Sequence, residues 1–345
     1  MNATPDLPAG DAGTDPRLDA LRAWIAARYP GRTWTIAPAS ADASFRRYFR
    51  VSFAEGDTLI AMDAPPERED CRPFIQVAGL LAQTGLNAPR VLHESLDQGF
   101  LLLSDLGRQT FLAVMNEDNA DALYGAAIDA LVRWQAGSRA NELPPYDAAL
   151  LRRELDLFPE WYLGRHLGLA GDPAIGAMLE PVFEALIDSA LAQPRVRVHR
   201  DYMPRNLMVS DPNPGILDFQ DAVEGPITYD VASLFRDAFI SWPEPRVLDW
   251  TVRYWERARA AGLPVDADFG EFYRAFEWMG LQRHLKVLGI FARLQHRDGK
   301  PAYLADAPRF HQYVRSVAER YGRFAGLTGL LDRIEARAPQ TGYTF

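Results

Sequence analysis

Apolar residues recur at Leu18, Leu21, Ile25 and Tyr29, one face of a 3.6-residue period, and predict a short amphipathic helix that stops before Pro30-Gly31. The pattern then changes to β-prone runs: Trp34-Thr35-Ile36, Tyr48 to Phe53, and Thr58 to Asp63, the last two joined by Ala54-Glu55-Gly56-Asp57. Pro65-Pro66 closes that block, and a helix is expected from about Pro73 to Gln83. Arg90 to Glu94 and the strongly apolar Gly99 to Asp105 add two more strands, giving a five-stranded antiparallel sheet with one prominent helix. Leu106-Gly107 reads as a hinge. From Asn116 the period is helical, with segments expected near 118–139, 147–168, 172–193, 245–262, 268–294, 304–325 and 327–337. The expected fold is α+β and bilobal, like a protein kinase. Residues 1–16, rich in Pro, Gly and Asp, form a disordered tail; 17–105 form a small β-rich lobe that binds nucleotide; 106–345 form a larger helical lobe with the substrate site. A nucleotide would lie in the cleft between the lobes.

One stretch breaks the helical pattern. His199-Arg200-Asp201-Tyr202-Met203-Pro204-Arg205-Asn206 is followed by two short β-prone runs, Leu207 to Val209 and Gly215 to Leu217, with Ser210-Asp211-Pro212-Asn213-Pro214 between them. Those five residues are dense in turn formers, so a hairpin centred near Pro212 is expected. Such a hairpin sets Asn206 opposite Asp218, roughly 5 Å apart between Cα atoms. A carboxylate and an amide oxygen then converge where a hard Mg²⁺ can sit beside a triphosphate. Asp201, just ahead, is placed to accept a proton from an attacking hydroxyl.

The run H-R-D-x-x-x-x-N matches a known phosphoryl-transfer loop letter for letter, and Asp218-Phe219 matches the start of its D-F-G partner, with Gln220 in place of Gly. Phosphoryl transfer asks a protein chiefly to position groups and neutralise charge. Asp201 as base, with Asn206 and Asp218 on metal, meets that need. His199 reads as a brace for the loop. Arg200 and Arg205 can each reach a phosphate or brace the loop. Asp230, in Tyr229-Asp230-Val231-Ala232, is expected to cap the next helix and steady the loop. Asp221 touches metal or substrate, or is simply solvated.

The small lobe departs from the pattern. Ser44-Phe45-Arg46-Arg47-Tyr48-Phe49 stands where a phosphate-covering loop belongs, yet holds no glycine. The third strand reads Ile60-Ala61-Met62-Asp63 where a lysine is expected, and the chain's two lysines are Lys286 and Lys300. An arginine such as Arg46, Arg47 or Arg68 must substitute, or the metal carries that charge alone. The nucleotide-binding residues expected are Ser44, Phe45, Arg46, Arg47, Met62, Ser104 and Leu106.

Composition narrows the setting. With 345 residues, 48% of them hydrophobic, the chain can bury a large core. A net charge of −9 offers no basic field for nucleic acid. The single cysteine, Cys71, excludes a disulfide framework within one chain and fits a reducing cytoplasm. No basic-then-apolar leader is present, and no apolar run approaches the roughly 18–20 residues needed to span a bilayer. A soluble, cytoplasmic protein with no membrane partner is expected.

Three segments carry a resemblance: His199 to Met208, Leu217-Asp218-Phe219-Gln220-Asp221-Ala222, and Pro226 to Leu234. They resemble the aminoglycoside-phosphotransferase-like, or choline-kinase-like, kinases. Within these, Ile60 to Glu67, Leu103 to Gly107 and the helix Gly280 to Leu294 look like the bacterial anomeric kinases of N-acetylmuramate and N-acetylglucosamine. The resemblance covers nearly the whole chain after the tail. It implies ATP- and Mg²⁺-dependent phosphorylation of an amino sugar's anomeric hydroxyl to the α-1-phosphate, in peptidoglycan recycling. The missing lysine then belongs to the subfamily's own pattern. Candidate sugar contacts are Trp161, which can stack on a pyranose, Asp221, and Gln282, Arg283 and Lys286, whose cations suit a lactyl carboxylate. Two alternatives stay open: the same fold acting on an aminoglycoside, a choline-like alcohol or homoserine, and a non-catalytic nucleotide-binding pseudokinase.

Overall fold

The structure, a computed structural model, describes residues 15–40 and 45–337; Ser44 and residues 1–14 of the expected tail lie outside them. Over the described residues the chain divides into two compact units. One runs to Ile75 and resumes over Pro89–Asp105; the other comprises Gln76–Ala88 and the chain from Leu106 on. Among the described residues, no helix is long and apolar enough to cross a membrane.

The first unit holds helix α1 (Pro16–Arg28), strands β1 (Trp34–Ser40), β2 (Arg47–Phe53) and β3 (Thr58–Asp63), the start of helix α2 (Arg72–Gln83), and strands β4 (Val91–Ser95) and β5 (Phe100–Ser104). The five strands form one antiparallel sheet in the order β1-β2-β3-β5-β4. Strand alternation gives each face its own residues. Phe49, Val51, Phe53, Ala61, Phe100 and Leu102 pack on Leu21, Trp24 and Ile25 of α1. Asp15, assigned by the sequence to the tail, instead caps α1 by accepting the Leu18 N–H at 3.0 Å, and Pro16 opens the helix.

Asp63 shares the α1 face. It is fully buried, and its two oxygens are taken by Arg17 (Nε 2.8 Å) and Arg47 (Nε 2.9 Å). Arg47 also binds Asp15. This alters the expectation for Arg47: a guanidinium committed to two carboxylates beside α1 is a structural clamp, not a phosphate ligand. Met62, one residue before Asp63, points to the opposite face and is fully buried. Arg46 lies 3.9 Å from Glu69, and Phe45, more than half exposed, has Arg68 over its ring at 4.5 Å. Ser104 accepts the Arg90 N–H at 2.9 Å, holding β5 to the start of β4.

The second unit contains helices α3 (Phe111–Val114), α4 (Ala120–Ala136) and α5 (Ala148–Leu157), a π-helix (Phe158–His166), and α6 (Pro173–Ala192). Strands β6 (Arg195–Val198), β7 (Leu207–Met208), β8 (Gly215–Ile216) and β9 (Val223–Pro226) follow, then α7 (Tyr229–Phe235), α8 (Glu244–Ala260), α9 (Phe269–His296), α10 (Ala307–Arg320) and α11 (Ala325–Arg337). The single helix expected over 147–168 breaks into α5 and the π-helix at Pro159, which has no N–H to continue the α-type ladder.

Helix α9 is the spine of this unit. Leu281, Leu285, Leu288, Phe291 and Ala292 pack against residues of α5, α6, α10 and α11 in one apolar cluster. Gly289 allows its closest approach. A Cβ there would lie 2.4 Å from the Leu157 carbonyl carbon and 2.5 Å from its oxygen, both backbone atoms. Gly289→Ala is therefore expected to force α5 and α9 apart, cost about 1–3 kcal/mol and lower the thermal midpoint by several degrees in calorimetry. An unchanged midpoint would show that the two helices separate without cost.

Candidate active site

The site grows from β6. This strand pairs antiparallel with β9, Val198 opposite Val223, and both are buried. Chain leaving β6 enters the loop His199 to Met203. The His199 N–H donates to Asp230 Oδ2 at 2.7 Å and the Arg200 N–H to Asp230 Oδ1 at 3.0 Å. Asp230 thus braces the loop as expected, but it does not cap α7: Thr228 is the residue before that helix, and Asp230 lies inside its first turn. Burial pushes the Asp230 carboxyl up, the two amides hold it down, and it settles at about 7. Burial also pushes the His199 imidazole down to about 4, so it is neutral near pH 7. Its Nδ1 accepts the Asp201 N–H at 3.3 Å, which leaves the ring proton on Nε2. The Tyr202 hydroxyl anchors the loop on α4 through the Ala127 carbonyl at 2.8 Å.

Asp201 emerges half-buried from these supports. A tight turn over Pro204–Asn206 brings Asn206 back, and its Nδ2 donates to the Asp201 carbonyl at 2.9 Å. The expected hairpin follows, with Leu207 opposite Ile216 and Met208 opposite Gly215. Its register differs by one residue from expectation. The Leu217 N–H, not Asp218, meets Asn206, at 2.9 Å from its carbonyl. Asp218 turns inward instead through a left-handed backbone, φ 62°, which an aspartate tolerates better than most residues. Its Oδ2 then receives Asn206 Nδ2 at 3.3 Å, and its Oδ1 receives Gln220 Nε2 at 2.9 Å. The convergence of Asn206 and Asp218 holds although the route differs.

Because Nδ2 of Asn206 faces these two acceptors, Oδ1 is turned outward. An outward amide oxygen beside a carboxylate is a donor set that suits a hard divalent cation. Among the described residues, no group of three or more His, Cys, Asp or Glu side chains could hold a metal. A cation here would share its coordination with phosphate oxygens and water, as Mg²⁺ commonly does.

The remaining candidates separate. Asp221 is exposed next to Gln220, whose Nε2 lies 3.5 Å from it. Arg205 is exposed, with its guanidinium over Phe239. Leu106 packs where a side chain on Gly215 would stand. Trp161 lies on the π-helix, partly buried against the helical core. Gln282 and Arg283 are buried in α9. Lys286 is nearly so, bound to Glu154 at 2.8 Å and to the Tyr229 hydroxyl at 3.1 Å. These three are therefore internal supports rather than a surface for a sugar. The sequence reading missed Glu154. On α5 it looks like any polar position of an amphipathic helix, and only its proximity to Lys286 and Arg200 marks it.

The Phosphotransferase enzyme family model matches residues 35–265. The N-acetylmuramate/N-acetylglucosamine kinase of Pseudomonas aeruginosa is 54% identical over 328 residues, covering 92% of this chain and 96% of that one. The kinase of the same name from Neisseria meningitidis is 47% identical, covering 94% and 98%. In fold, the chain is similar to a choline/ethanolamine kinase family protein from Mesorhizobium loti, with a TM-score of 0.61 at 18% identity, covering 92% and 99%. A loop aspartate, an amide and a carboxylate folded together on a kinase-like scaffold, and a family match across most of the chain, lead to one conclusion: the protein belongs to the phosphotransferase enzyme family.

Proposed function

We propose that the protein is an ATP- and Mg²⁺-dependent kinase that phosphorylates the anomeric hydroxyl of N-acetylmuramate and N-acetylglucosamine, giving the sugar 1-phosphate for cell-wall recycling in the cytoplasm. The observation that carries the chemistry is the meeting of Asp201, Asn206 and Asp218 around one hairpin. The relatives' names carry the substrate.

In this reading the anomeric oxygen attacks the γ-phosphorus of ATP, the bond to the β-phosphate oxygen breaks, and ADP leaves. Asp201 accepts the hydroxyl proton as the new O–P bond forms. A hemiacetal hydroxyl is more acidic than an ordinary alcohol, so a carboxylate can take its proton late in the transfer. Mg²⁺ on Asp218 and Asn206 would supply charge neutralisation for the phosphates. His199, neutral and hydrogen-bonded to the Asp201 amide, holds the loop and moves no proton. Of the small unit's arginines, Arg47 is occupied by Asp63 and Asp15 and is not assigned to phosphate.

Purified protein is expected to release ADP with either amino sugar in the presence of Mg²⁺, and not with aminoglycosides or choline. The product's anomeric proton should couple to phosphorus in its NMR spectrum. Turnover of neither sugar would retire the reading. Asp201→Asn is expected to lower kcat by about 10²–10⁴ while leaving the melting temperature and ATP binding close to wild type. Near wild-type turnover in that variant would remove Asp201 from the role of base.

A further inference from the structure

Glu154 precedes Arg200 by 46 residues, yet its carboxylate meets the Arg200 guanidinium in the loop that carries Asp201. It is 5% exposed. Oε2 receives the Tyr146 hydroxyl and Gln282 Nε2, the latter at 3.2 Å. Oε1 receives Lys286 Nζ at 2.8 Å and Arg200 Nη2 at 2.5 Å. Burial alone would raise this carboxyl, but the Lys286 and Arg200 charges outweigh it and bring it down to about 2. Glu154 is thus a fixed anion at neutral pH, held from three elements other than its own: the segment before α5, the catalytic loop and α9.

Arg200 needs such a partner. Its backbone is left-handed, φ 75°, a conformation that is strained for a non-glycine residue and persists only where the surroundings impose it. Its N–H is fixed by Asp230 and its guanidinium by Glu154, so the residue is gripped at both ends. Asp201 is the next residue along, and the direction of its carboxylate follows from the turn taken at Arg200.

We propose that Glu154 is a positioning residue for phosphoryl transfer: by gripping the Arg200 guanidinium it holds the left-handed turn that aims Asp201 at the attacking hydroxyl. Tyr146, Gln282 and Lys286 keep the Glu154 carboxylate in place. A misplacement of about 1 Å in a reacting group can cost on the order of 10²-fold in rate, so the grip matters to kcat more than to substrate affinity. The inference rests on the reading of Asp201 as the base of a sugar kinase.

The test is a double-mutant cycle on steady-state ADP release with N-acetylglucosamine, alongside thermal melts. Glu154→Gln and Arg200→Gln are each expected to lower kcat about 10- to 100-fold, with KM for ATP and sugar within about threefold. Because both act through one contact, the double variant should be no slower than the slower single variant. A double variant slowed by the product of the two single effects overturns the proposal, as does a folded Glu154→Gln protein with wild-type kcat. If Glu154→Gln does not fold, Arg200→Gln decides alone, since its side chain is one-fifth exposed; wild-type kcat there overturns the grip. Absence of turnover in the wild type would bring down the kinase reading and the grip together, whereas active wild type with unimpaired variants brings down the grip alone.

Discussion

Two backbone amides aimed at one buried carboxylate set the course of the loop that carries Asp201. Asp230 takes the N–H groups of His199 and Arg200, and everything downstream inherits its position from that pair of bonds. The cost of burying the carboxylate is large, and the amides offset only part of it, which is why the group settles near 7 rather than in the usual range. From this anchor the order is sequential. Asp201 follows Arg200, Asn206 returns to the Asp201 carbonyl, the hairpin returns Leu217 to Asn206, and Asp218 turns inward. A donor set assembled this way needs no distant contact to bring its members together, only to hold them.

Much of this could be read from the chain. The hairpin was legible because turn formers and β-prone runs are local signals, and the long helices because their apolar period is strong. The register was missed by one residue, since the conformation of the turn at Asp211 to Asn213 is not written in residue types. Asp230 was legible as a brace, but its place within α7 was not, because a helix start can shift by one or two residues without changing the apolar pattern. The polar residues of α9 misled for a related reason. Gln282, Arg283 and Lys286 read as candidate sugar contacts, whereas helices packed around α9 bury nearly its whole circumference there. Their partner Glu154 carries no signal of its own until the tertiary structure closes on it.

The absent strand lysine changes the electrostatic character of the small unit. Met62 carries no charge, and the nearest acidic residue, Asp63, faces the other way into a pair of arginines. Arg50 is likewise held, by Asp105 at 2.5 and 3.0 Å. Guanidinium groups suit such duty because their fixed fork matches a carboxylate in two places at once, where an ammonium makes only a point contact. An arginine-rich chain can therefore knit its sheet together with the cations that another sequence would leave on the surface.

The Asp63 clamp also sets a limit on how far the protein can be shortened from its amino end. Arg17 supplies half of the compensation for a fully buried carboxylate, and Asp15 both caps α1 and holds the second arginine. A version starting after Arg17 would leave Asp63 short of one counter-charge inside the sheet, a far larger loss than the trimming of a helix end. Asp15 and the first residues of α1 are thus part of the small unit's interior chemistry.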